Sequence, residues 1–218
     1  MSMNFGREQA LLRQRLTANA SEQHAAELAE RFGPDLKYLG AAPDEVATAG
    51  SELVAQFPEM GRAQMTAFVR TLWKSKTHEL RLVGVDVLAR RSELLEAPDM
   101  PVVIELLEQS SVPACCDRIA DDVLGPLVSR NKKLWKDVQK LGKHSKPHVQ
   151  RAAVRACRAP LASDGALFER FEKLVTPMLG DDADAELLKS VDGVLAAAAE
   201  QAAESVRAFA AEHGRVLG

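Results

Sequence analysis

Apolar residues recur along this chain at intervals of three and four. Met65, Phe68, Val69, Leu72 and Trp73 form one set, Leu80, Val83, Val87 and Leu88 a second, and Leu167, Phe168, Phe171, Leu174, Val175 and Met178 a third. Such spacing puts each set on one side of an α-helix, and no sustained alternation of period two competes with it. The pattern predicts an all-α fold. A single Tyr and few Thr or Ile agree, because strands favour β-branched and aromatic side chains. Breaks fall at FGPD (32–35), GAAPD (40–44), FPEMG (57–61), APDMP (97–101), SSVP (110–113), HSKP (144–147), APLASDG (159–165) and GDDAD (180–184). Each carries Pro, Gly or a capping residue, as helix ends do, which leaves helices of about 10 to 16 residues between short turns.

Internal repetition separates a bundle from stacked hairpins. The segments 78–88, 116–128, 149–161 and 187–199 align on a base near each helix start, so that Arg81, Arg118, Arg151 and Lys189 fall 37, 33 and 38 residues apart. That period is near the ~40 to 47 residues of HEAT and armadillo units. The architecture expected is an α-α superhelix, a solenoid of HEAT-like helix-pair repeats forming one domain over residues 1–218. A cation one turn into the second helix of every pair would recur at the same place in each repeat. The four bases are therefore expected to line one surface.

Charge sharpens this expectation. The chain has formal net charge −3, yet from Arg130 to Arg158 ten Lys or Arg face one acid, Asp137, and the remainder is left with 18 bases against 30 acids. A lysine-rich helix is commonly no more than a solvated face. Here the bases are segregated inside an otherwise acidic protein, whereas a merely soluble surface mixes signs. Duplex DNA carries one charge per ~1.7 Å of axis and rewards such a row by counterion release. The expected contacts are Arg81, Arg118, Lys132, Lys133, Lys136, Lys140, Lys143, Lys146, His148, Arg151 and Arg155. Contacts to phosphates would give affinity for double-stranded DNA with little sequence preference.

Other chemistry is sparse. Pro147 stands between His144 and His148, so helical metal spacing is not expected there, and His78-Glu79 has Leu82 where a zinc helix would place its second His. Glu79 is better explained as a helix-start acid. No metal and no cofactor are expected. Cys115 and Cys116 are adjacent and Cys157 is distant, which fits neither a disulfide framework nor a metal set, and small buried thiols are the simpler account. Trp73 belongs to the 65/68/69/72 stripe and Trp135 is expected to pack. With 46% hydrophobic and 27% charged residues, no apolar leader and no membrane-length apolar run, a soluble cytoplasmic protein is expected.

The blocks RTLWKSKTHELRLVGVDVLARR (70–91), CCDRIADDVLGPLV (115–128) and VQRAAVRA (149–156), following FGPDLKYLGAAPDEV (32–46), resemble the HEAT-like-repeat DNA alkylation repair family of alkylpurine DNA glycosylase D and its non-catalytic relatives. The resemblance implies a C-shaped stack holding duplex DNA in a basic groove. In catalytic members it also implies hydrolysis of the N-glycosidic bond of purines made cationic at N3 or N7, with a carboxylate stabilising charge on the sugar. The family's Trp falls here on Cys116, its next Asp on Asp117, its essential Asp on Ala120 and a second aromatic on Gly193, while its Arg is kept as Arg151. Asp121 and Asp122 follow Ala120, but one residue along a helix turns a side chain by about 100°. Asp121 is thus the candidate carboxylate, with Asp117 behind it, only if the helix rotates or shifts register. Against this, Arg118 followed by Asp121 and Asp122 at i+3 and i+4 is an ordinary surface pairing. Three functions stay open: a DNA-binding member with weakened or absent glycosylase activity, an active glycosylase, and a protein-binding scaffold.

Overall fold

A computed structural model describes residues 3–180 and 183–215, so residues 181 and 182 of the break expected at 180–184 lie outside it. Among the described residues the regular structure is helical, and the one pairing of extended backbone is an isolated parallel bridge between Lys37 and Thr77. Two compact units make up the chain, Met1–Leu95 and Glu96–Gly218.

The first unit contains α1 (Phe5–Ala18), α2 (Glu22–Phe32), α3 (Pro43–Gln56), α4 (Arg62–Lys74) and α5 (His78–Arg90). Their starts follow from local chemistry. The Asn4 side chain accepts the Arg7 N–H at 3.0 Å and Ser21 accepts that of His24 at 3.2 Å, satisfying donors that no helical carbonyl reaches. Pro43 opens α3 where its missing N–H costs nothing. Both α3 and α4 pack on α5, with α1 against all three. The predicted stripe is the core: Met65, Phe68, Val69, Leu72 and Trp73 are all buried. Each such side chain contributes about 1.5–3 kcal/mol by leaving water.

The second unit contains α6 (Met100–Glu108), α7 (Pro113–Ile119), a π turn (Ala120–Leu124), α8 (Gly125–Arg130), α9 (Trp135–Leu141), α10 (Pro147–Ala156), α11 (Arg158–Ser163), α12 (Phe168–Val175), α13 (Ala185–Ala198) and α14 (Ala203–Glu212). Residues 113–130 run as one rod through the π turn, and α10 and α11 follow one another across Cys157. The rod, the α10–α11 pair and α13 lie side by side, because α10 touches both α7 and α13 while α11 touches both α8 and α13. This is the superhelical repeat arrangement of helix pairs. Three of the four segments that align in the sequence, 116–128, 149–161 and 187–199, are the helices of this row, and the fourth, 78–88, is α5 of the first unit. Helix α9 packs against α10 from outside the row, through Leu134, Trp135, Val138 and Leu141, all buried.

The π turn has a plain cause. Pro126 carries no N–H for the carbonyl four residues back. The preceding amide, Gly125 N–H, instead reaches Ala120 O, five residues back. Gly125 also admits close packing, since a Cβ there would lie 3.2 Å from Ala156 O.

Candidate nucleic-acid interface

The block W-x-S-x-x-H-E-x-R, residues 73–81, builds architecture rather than a site. Arg81 Nε donates to Trp73 O at 3.3 Å, and its guanidinium lies 4.9 Å from the centre of the Trp73 ring. At 7% exposure it is not a surface cation. The phosphate contact expected of Arg81 is corrected accordingly, because the arginine fills a core position beside an aromatic face. Glu79, 1% exposed, accepts N–H bonds from Leu39 at 2.9 Å and from Gly40 at 2.8 Å. It is a clamp on the 33–42 loop, not merely an acid at a helix start. His78 is buried between Tyr38, with ring centres 5.5 Å apart, and Phe32 at 6.2 Å, and burial pushes its imidazole below the usual range.

In the second unit the arginines of α10 meet the aspartates of the π-turn rod. Asp117 Oδ1 accepts from Arg151 Nε at 3.0 Å and lies 2.8 Å from Arg151 Nη2. Arg155 Nη2 bonds the Asp121 carboxylate, and its Nε lies 3.8 Å from Asp117 Oδ1. Burial works against the Arg155 charge, yet the hydrogen bond and charge of Asp121, backed by Asp117 and Asp122, hold the guanidinium above its ordinary value. Arg118 pairs with Asp122 at 3.5 Å along its own helix, as the i, i+4 spacing suggests. Asp117 and Asp121 therefore share one face, and each is neutralised by an arginine from the neighbouring helix. Both cross-helix pairs span 34 residues, close to the repeat spacing of 33 between Arg118 and Arg151. That period was the available signal for pairings that sequence reasoning missed.

The lysines occupy other ground. Lys132, Lys133, Lys136, Lys140, Lys143 and Lys146 are all exposed, on α9 and the turns flanking it. Lys132 pairs with Asp164, Lys140 Nζ lies 3.3 Å from Asp137, and Lys146 Nζ donates to Glu108 O at 2.5 Å. Lys133, Lys136 and Lys143 make no ion pair among the described residues. His148 is half-buried; burial lowers its imidazole pKa, and its Nε2 is shut from solvent without a hydrogen-bond partner. The DNA contact expected of His148 is not open through that nitrogen. Lys189 is exposed and bonds Glu186 at 2.6 Å. The single row of four equivalent bases thus resolves into a buried Arg81, two arginines with aspartate partners and one surface lysine.

The family model described as DNA alkylation repair enzyme matches residues 12–217, nearly the whole chain. The chain belongs to the DNA alkylation repair enzyme family. Among solved structures, a chain described as a predicted DNA alkylation repair enzyme from Enterococcus faecalis superposes with TM-score 0.72 at 10% identity, covering 88% of this chain and 89% of that one. That likeness is one of fold. No curated protein matches the sequence. Within this family member, Ala120 and Cys116 are each 0% exposed, so the positions that the resemblance assigns to an essential Asp and a Trp lie in the packed core. A side chain at Gly193 would meet open space, so packing does not enforce glycine there. Cys115 and Cys157 are buried with Cys116 as free thiols, and burial raises the pKa of Cys116 and Cys157. Among the described residues no three His, Cys, Asp or Glu gather as a metal site requires, and no helix is long and apolar enough to cross a membrane.

Proposed function

We propose that this member of the DNA alkylation repair family binds duplex DNA through its phosphate backbone and does not cleave the N-glycosidic bond. The observation that carries the reading is the division of charge in the second unit. Among the described residues Lys133, Lys136 and Lys143 are exposed without carboxylate partners, with Lys132, Lys140 and Lys146 beside them, while Asp117 and Asp121 are both committed to arginines. Free lysines supply counterion release. Arg118, Arg151 and Arg155 lie on the α7 and α10 helices and add contacts where a phosphate can compete with their aspartates. A carboxylate that stabilises a cationic sugar must present uncompensated charge to it. Asp121 does not, while Arg155 holds it. Acting on DNA, and with three free thiols, the protein would work in the cytoplasm.

A second reading keeps glycosylase activity. It is favoured by the π turn, which leaves Asp121 on the same side of the rod as Asp117, facing α10. It requires Arg155 to leave Asp121 when DNA binds. Duplexes containing 7-methylguanine or 3-methyladenine decide between the two. The proposed function predicts saturable binding without released base under single-turnover conditions; released base that disappears in Asp121→Asn would establish the second reading.

A further inference from the structure

We infer that the groove between α1 and α3 in the first unit docks a second copy of this chain, α1 against α1, about a two-fold axis at Leu11. The groove has a volume of about 430 Å3 and follows α1 from Glu8 to Ala18, about 15 Å of helix. Its floor is apolar, with Leu12, Ala49 and Leu53 all buried. Leu11 stands at its edge with 45% exposure, the one large hydrophobic side chain so exposed among the described residues. In a two-fold contact the same patch meets itself, so a protruding leucine and an apolar groove on one face can fill each other twice.

Charge and hydrogen bonding select the copy over an unrelated apolar segment. Glu8, 7% exposed, puts a carboxylate into the groove wall, and a buried carboxylate needs hydrogen-bond donors. Further along, Glu52 bonds Arg15 and Glu45 adds to the field on that guanidinium, so two acids face one base. The occupant that fits brings a large apolar side chain with a neutral donor on one side of it and a cation on the other. Helix α1 carries that set itself. Arg7, Leu11 and Gln14 stand at i, i+4 and i+7, on one face of the helix, and all three are exposed. When two α1 helices cross antiparallel at Leu11, Gln14 of the second copy comes opposite Glu8, and Arg7 of the second copy comes opposite Arg15 and Glu52. The Gln14 amide can then donate to Glu8, and Arg7 supplies the second base beside Glu45 and Glu52. Every contact is made twice.

Sedimentation velocity of the full chain, without DNA, over about 5–500 µM tests the docking. The average mass should rise with concentration from 23.7 kDa toward twice that value. Leu11→Lys, at an exposed position, should keep the helical circular dichroism and stay monomeric, and Arg7→Glu should raise the dimer dissociation constant about tenfold. Leu11→Cys reads position directly, because the native thiols are buried. Mild oxidation should join two copies through position 11 at least about tenfold faster than through Ser205→Cys, an exposed control in the second unit. A chain that stays monomeric throughout, with position 11 joining no faster than position 205, would overturn the inference. So would a dimer that Leu11→Lys and Arg7→Glu leave intact. A monomeric chain whose groove instead takes up an unrelated helical peptide bearing Leu and Lys would overturn the second copy as its occupant. Duplex binding is measured separately and stands or falls on its own result.

Discussion

Arg151 grips Asp117 through two nitrogens, Nε at 3.0 Å and Nη2 at 2.8 Å from the same carboxylate oxygen. The arginine side chain is only 12% exposed, so little water can stand in for that partner. Asp117→Asn should lower stability by about 1–3 kcal/mol, because it strands a poorly solvated guanidinium. Urea denaturation followed by circular dichroism measures this, with Asp122→Asn on the solvent side as a near-neutral control.

Removing the acid beside Arg155 should act on binding rather than on chemistry. In Asp121→Asn the guanidinium is released to a phosphate, and affinity for undamaged duplex should rise by about 0.5–1 kcal/mol. Fluorescence anisotropy at fixed salt reads the change, and a fall in affinity would mean that Asp121 positions Arg155 for DNA.

The Glu79 clamp joins α5 to a loop about 40 residues earlier, with backbone donors from Leu39 and Gly40 ending on one buried carboxylate. Glu79→Gln removes the charge and turns an amide donor toward N–H groups. The expected loss is about 1.5–3 kcal/mol in thermal or chemical unfolding. Gly40 should resist replacement for a separate reason, since its φ is +84° and a Cβ would lie 2.1 Å from Ser21 O.

These cases mark what the sequence made legible. Helix type, helix breaks and the stripe from Met65 to Trp73 follow from local periodicity, as does the Arg118 to Asp122 pair, because partners three or four residues apart meet on any helix. Arg81 lay on the same pattern as Arg118 and Arg151, yet neighbouring Trp73 takes it into the core; the repeat fixes a position on the helix and not its surroundings. The Arg151 and Arg155 pairs were missed because their partners sit on another helix, although their common spacing of 34 residues carried the information. The π turn was not expected, although Pro126 lacks the N–H that a regular α-helix would use there. Nothing local signalled that Glu79 would be claimed by a distant loop.

Stability should fall on mild acidification. Burial holds the folded-state pKa of His78 below its ordinary 6.5, with Glu79 opposing and Arg81 and His24 adding to the shift, and burial does the same for His148. Both pKa values are lower folded than unfolded, so the unfolded chain takes up protons first as pH drops. The stability they contribute is complete above 6.5 and is lost as pH falls toward the folded values. Urea midpoints between about pH 7.5 and 5.5 should therefore decrease. The double variant His78→Phe with His148→Leu should flatten the profile.

The salt dependence of binding to undamaged duplex tests the central claim most directly. A backbone grip through about six phosphates predicts a log–log slope near −5, reduced by about one for each of Lys136→Ala, Lys140→Ala and Lys143→Ala. A flat response, or a steep one that these three substitutions leave unchanged, would contradict it.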